Sequence, residues 1–175
     1  MSEGAGTDRL DAALAALSTG IYVLTARDAA TRHGMSSSWV TQVSGTPALL
    51  MAAVDVGHAT HGLIEAGGDF ALNVVGARGK ALEDYFYSPA SRRPDNLADI
   101  ACDLSPRGLP YLREAMLSLE CRVVARHAAG DHALFVAEIS DVVRRADDRP
   151  LTSLDLDYVY VGRVVARGSG AKQPQ

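Results

Sequence analysis

Apolar and polar positions change period several times along the chain, and each change marks a predicted element. Residues 8–17 (DRLDAALAAL) place Leu10, Leu14 and Leu17 at helical spacing behind a Thr7 or Asp8 cap, with Gly20 ending the segment. That pattern predicts a short docking helix. Three runs rich in β-branched and apolar residues follow, IYVLTAR (21–27), MSSSWVTQV (35–43) and PALLMAAV (47–54), separated by turn-prone or polar stretches; they predict three consecutive strands. HATHGLIEAGG (58–68) carries Leu63 and Ile64 on one face and stops at glycine, so a helix precedes the buried strand DFALNVV (69–75). GKALEDYFY (79–87) reads as a further helix with its aromatics at the C-terminal end.

Residues 88–110 contain four prolines and no clear period, which predicts an irregular excursion over the surface or across an interface. MLSLECRVVAR (116–126) and HALFVAEISDVVRR (132–145) are long strand candidates joined through a hairpin turn at HAAGD (127–131). In the second, Ala133, Phe135, Ala137 and Ile139 alternate with Leu134, Val136, Glu138 and Ser140, which puts Glu138 on the more polar side. YVYVGRVVA (158–166) predicts a last strand, and residues 168–175 read as a polar, disordered tail. Six or seven strands, few short helices and no regular β-α alternation argue for a mainly β protein, a mostly antiparallel closed barrel occupying residues 1–167, and against a doubly wound parallel sheet.

Composition narrows the function classes. A chain of 175 residues, 47% hydrophobic, is the size of one compact domain. With 17 basic residues against 21 acidic ones and a net charge of −4, it lacks the basic footprint of a nucleic-acid-binding surface. Apolar runs such as 48–54 stop well short of the ~20 residues of a membrane span, and MSEGAGTDRL lacks the positive segment and apolar core of a signal peptide. A cytoplasmic protein without a membrane or nucleic-acid partner is the expectation. Cys102 and Cys121 are too few and too far apart for a disulfide framework or a four-ligand site, and His58 and His61 read as a helix-surface pair, so no metal is expected.

Three segments could carry chemistry. Ser36, Ser37, Ser38 and Trp39 follow a glycine-containing turn; hydroxyls and exposed amides can bind an anion or the polar edge of a planar ring, and the indole offers an aromatic wall. An edge strand with solvated serines is the plainer account of the same residues. Asp55, Val56, Gly57, His58 and Thr60 run from a strand end into a helix start, where amides, the His58 ring and the Thr60 hydroxyl could seat a phosphate; ordinary capping by Asp55 or Thr60 is the competing account. His132, after Gly130-Asp131, could reach a pocket as an acid or base, or be a hydrogen-bonded structural residue. No P-loop, GxGxxG turn, HExxH or GxSxG elbow is present, which removes the common hydrolase, kinase and Rossmann-type assignments.

Read in order, LSTGIYVLTAR, HGMSSSWVTQVSGTPALLMAAV, DFALNVV and especially LSLECRVVARHAAGDHALFVAEISDV resemble the flavin reductase-like family over about residues 12–163. MSSSWVTQVS is especially similar to the flavin reductase-like domain of cyanobacterial diflavin proteins. The resemblance implies an FMN-binding split β-barrel of antiparallel, Greek-key type that forms homodimers. It implies Ser36–Trp39 around the flavin, Asp55–Thr60 at the phosphate, and His132 near the nicotinamide or the open flavin face. Two departures stand out. Many relatives carry arginine or lysine where this chain has Val56, a loss that His58, or Arg92 or Arg93 of the long loop, would offset; and Tyr158 and Tyr160 stand where many reductases end in a histidine and an aromatic, at the substrate side. The activity implied is an FMN-dependent NAD(P)H:flavin oxidoreductase, with FAD as an alternative cofactor, NADH or NADPH as donor, and a partner monooxygenase receiving reduced flavin. A flavin-binding carrier or electron-transfer module without NAD(P)H activity, or an oxidoreductase whose pocket also accepts a specialised small molecule, are the alternatives.

Overall fold

The computed structural model describes residues 3–87 and 95–167. A helix, α1 (Glu3–Ala15), precedes β1 (Tyr22–Arg27), β2 (Arg32–Ser37), β3 (Val40–Gly45) and β4 (Ala48–Asp55); α2 (Ala59–Gly67), β5 (Asp69–Val74) and α3 (Lys80–Tyr87) follow. The short strands β6 (Cys102–Leu104) and β7 (Pro110–Leu112), the long strands β8 (Leu117–Ala129) and β9 (His132–Arg144), and the short pair β10 (Tyr158–Tyr160) and β11 (Val164–Ala166) complete the chain. No helix among the described residues is long and apolar enough to cross a membrane.

Seven strands form one sheet in the order β2-β1-β5-β8-β9-β4-β3, every pairing antiparallel. Its two edges, β2 and β3, are consecutive in the chain and separated only by Ser38 and Trp39. So short a link holds the edges together, and the sheet must curl back on itself into a barrel split at that seam. The interior is filled by Leu24, Leu50, Phe70, Phe135 and their neighbours, into which α2 lays Leu63 and Ile64. A second core, with Val23, Leu82, Phe86, Leu97, Leu112 and Leu151, packs α3 and the later loops on the opposite face of β1. Val23 and Leu24 therefore serve different cores, as period-2 alternation requires.

Four boundaries and one packing expectation differ from the sequence reading. The run 35–43 is not one strand: the chain leaves the β1 ladder after Ser37 and joins β4 from Val40, with no glycine or proline to announce the break. Residues 158–166 form a hairpin, β10–β11, around Gly162 at φ +93. The irregular stretch is partly ordered, because β6 and β7 pair with each other and are pinned to the barrel by Asn73. That buried amide donates to Val23 O and Thr25 Oγ1 and accepts from Leu112 N and Ser118 Oγ, which saturates it. The β8–β9 turn is two residues, Gly130 and Asp131, with positive φ at Gly130 alone, the pattern of a type II′ turn. The leucines of the predicted docking helix do not dock on this chain: Leu10 in α1 is 59% exposed and Leu17, just beyond its end, 63%. Alternation in β9 holds over Ala133, Phe135 and Ala137, all buried, while Glu138 lies on the other face and pairs with Arg122. Residues 168–175, Arg92 and Arg93 lie outside the described residues.

Candidate functional site

A cavity of about 290 Å³ opens at the barrel seam. Its lining combines apolar Ile21, Met35, Ala53, Phe86 and Leu156 with the hydroxyl residues Ser36, Ser37 and Ser38 and the rings of Trp39, His132 and Tyr160. Long-range pairing assembles it. Strand β4 runs beside β9 in the register that sets Asp55 opposite His132, and Ala53 N–H donates to Trp39 O, so residues far apart in the chain meet at one rim.

The Trp39 and His132 rings lie 4.8 Å apart between centroids and the Trp39 and Tyr160 rings 5.4 Å, a continuous aromatic wall. His132 Nδ1 lies 2.7 Å from Asp131 Oδ1. A proton held there for the carboxylate leaves Nε2 free for a ligand. The pairing in turn holds the Asp131 carboxyl below its ordinary range. The hydroxyls of Ser37 and Ser38 meet no hydrogen-bond partner among the described residues, and Ser38 and Trp39 lie outside both flanking ladders. A planar ring with polar edges fits a cavity that offers both aromatic faces for stacking and unpaired hydroxyls.

At the strand-to-helix turn the capping account holds, with a different residue as cap. His58 Nδ1 accepts from Thr60 N–H at 3.2 Å, and Asp55 Oδ1 accepts from Gly57 N–H at 2.7 Å. The amides of Val56, His58 and His61 also donate within the chain. Burial lowers the His58 pKa, which keeps the ring neutral and leaves Nε2–H as its donor. Asp55 and His58 line the cavity; Val56 is half exposed and outside it, Gly57 shapes the turn, and Thr60 is buried with its hydroxyl 3.1 Å from His33 Nδ1. His61 is not on the helix surface: it is buried against Phe135, with its Nδ1 3.5 Å from a Glu65 carboxylate oxygen. No group of metal-ligating side chains occurs among the described residues.

Sequence reasoning missed Glu83 and Tyr87. Glu83 is 2% exposed and lines the cavity. It accepts from Ser36 Oγ at 2.5 Å and from Tyr158 Oη at 3.0 Å. Tyr87 stacks on Tyr158 at 4.7 Å. A signal was present in GKALEDYFY, because Glu83 falls one turn from Phe86 and Tyr87 and so shares the apolar face of α3. A carboxylate on that face is the kind of exception that marks a site.

Comparisons with known proteins place the chain in a family. The cavity sits in a chain whose residues 14–166 match the family described as flavin reductase like domain. A diflavin flavoprotein of Thermosynechococcus vestitus is 35% identical over 124 residues, covering 70% of this chain and 22% of its own length; the chain thus spans about a fifth of such relatives. A nitrilotriacetate monooxygenase component B homologue from Mycobacterium thermoresistibile superposes with a TM-score of 0.77 at 21% identity, over 99% of this chain and 93% of its own, a likeness of fold. The styrene monooxygenase flavin reductase of Pseudomonas putida superposes with a TM-score of 0.70 at 31% identity, over 80% of this chain and 89% of its own. With the family match covering most of the chain and the barrel shared, the protein belongs to the flavin reductase-like family.

Proposed function

We propose that the protein is an FMN-dependent NAD(P)H:flavin oxidoreductase that passes reduced flavin to a separate enzyme. The observation that carries the reading is the cavity at the seam, which brings the unpartnered Ser37 and Ser38 hydroxyls together with the Trp39–His132–Tyr160 wall in a chain of this family. The redox chemistry, transfer of a hydride from a dihydronicotinamide to the flavin ring, is the cofactors' own. The chain's part is to bind, orient and exclude water. Trp39 supplies a stacking face, Ser36–Ser38 the polar edge, and His132 Nε2 a hydrogen-bonding group at the open side. His58 Nε2–H is the donor proposed for the phosphate end, with Asp55, Val56, Gly57 and Thr60 building the turn that presents it. Tyr158 and Tyr160 border the donor's side. A homodimer is the proposed assembly, supported by the uncovered Leu10 and Leu14 of α1 and Leu17 just beyond it; delivery to a monooxygenase is supported by the monooxygenase-component names of two structural neighbours.

Anaerobic titration of the protein and FMN with NADH, then NADPH, tests the reading through flavin absorbance near ~450 nm. Rapid protein-dependent bleaching is the expected result and names the donor. A specific observation favours a second reading, a flavin carrier without NAD(P)H activity: Asp55 and Glu83 line the cavity with no lysine or arginine among the described lining residues to meet a dinucleotide's phosphates. FMN binding without bleaching is the outcome that reading requires.

A further inference from the structure

Glu83 has no part in the reaction just described, yet burying a carboxylate costs several kcal/mol unless it is well hydrogen-bonded. Its partners are Ser36 on β2 and Tyr158 on β10, residues from opposite ends of the chain that meet only at the cavity. A hydroxyl owns one proton. Ser36 Oγ spends its proton on Glu83 Oε2, and Tyr158 Oη spends its proton on Glu83 Oε1, while stacking on Tyr87 fixes the Tyr158 ring. Both hydroxyls therefore turn only lone pairs toward the cavity, and the carboxylate adds more of the same. Lys80, a turn away, is engaged with Asp84.

We propose that Glu83 is a positioning residue that makes the Ser36–Tyr158 side of the cavity an acceptor-only wall, which takes the amide-type N–H edge of a planar ligand and rejects carboxylate or phosphate. The inference rests on the flavin reading and deepens it by fixing which edge of the ligand faces α3. Two groups carry this chemistry there: the imide N–H of the flavin ring and the carboxamide of a nicotinamide. Burial pushes the Glu83 carboxyl above its ordinary range, while the two hydroxyl bonds act to hold it ionised. Glu83→Gln keeps the shape but gives the side chain donors of its own, so at least one of the two hydroxyl protons is released toward the cavity.

The test is binding, read by flavin and Trp39 fluorescence, of riboflavin against N3-methylriboflavin, and of NAD against its 3-acetylpyridine analogue in the presence of FMN. The wild-type chain is expected to prefer the N–H-bearing member of one pair by at least tenfold, about the value of one buried hydrogen bond. The pair that shows the preference identifies which group is read. Glu83→Gln is expected to reduce that preference to within about twofold while circular dichroism and Tm report an intact fold. If Glu83→Gln does not fold, Tyr158→Phe and Ser36→Ala, which remove one acceptor each, carry the same expectation. A preference undiminished in the variants, or absent from both pairs in a wild-type chain that binds flavin, overturns the role of Glu83 alone. A wild-type chain that binds neither riboflavin nor FMN overturns the flavin reading, and this inference with it.

Discussion

At His33, a ring that water would leave half-charged near pH 6.5 is only 4% exposed, held between the Thr60 hydroxyl and the edge of the His58 ring. Burial, and then the neighbouring His58, bring its pKa down to about 4. The folded value lies below the unfolded one, so as pH falls the unfolded chain takes up the proton first. The stability from a neutral His33 is therefore complete above pH 6.5 and is lost as pH drops toward 4; allowing for partial solvent screening, the loss is about 2 kcal/mol. Urea unfolding at pH 7.5 and pH 5 should show it, and His33→Gln should flatten the difference. Two further residues separate binding from reaction. His132→Ala is expected to slow flavin reduction by about tenfold or more in stopped flow with a smaller change in flavin affinity. His58→Gln is expected to weaken FMN binding several-fold more than riboflavin binding, and equal losses would remove His58 from the phosphate end. Ser36–Ser38, Trp39, His58 and His132 were legible as candidates because hydroxyls, rings and turn glycines announce themselves locally, whereas Tyr158 and Tyr160 came only from the resemblance to the family. Glu83 was not singled out because an acidic residue on a short helix ordinarily faces water, and only packing shows that this one does not.

Among the elements, β2 is held on its open edge by a side chain instead of a strand. Asn96 accepts from Gly34 N–H at 2.9 Å and donates to Gly34 O at 2.7 Å, copying the two bonds a neighbouring strand would make. Asn96→Ala leaves both groups unpaired in a buried place and is expected to cost about 2–3 kcal/mol, read as a lower Tm. The same glycine admits α3: a Cβ at position 34 would stand 2.5 Å from Phe86 Cε1. Gly34→Ala should force α3 off β2 at a cost of about 1–3 kcal/mol, and because β2 carries the serines and α3 carries Glu83, flavin affinity should fall with stability. Neither device was readable in the sequence, since residues 95–100 show no period and pair with nothing nearby in the chain. The β8–β9 hairpin was readable, because Gly130-Asp131 sits between two long alternating runs.

For the molecule as a whole, the exposed leucine face of α1 predicts self-association. Sedimentation should give twice the mass of one chain, and Leu10→Glu with Leu14→Glu should return the monomer with its far-UV spectrum unchanged. By itself the sequence determined the barrel class, the long hairpin, the absence of nucleotide-loop and nucleophile motifs, and a short list of hydroxyl, ring and turn residues, because alternation, turn chemistry and composition are local properties. Tertiary structure decided which of those residues meet. The β4–β9 register sets Asp55 beside His132, the seam after Ser37 brings the serines and the aromatic wall into one cavity, Thr60 goes to His33 instead of the cavity, and Glu83 is drawn between Ser36 and Tyr158. Each of these depends on pairing between distant segments and on the loss of water around charged groups, and neither exists until the sheet has closed.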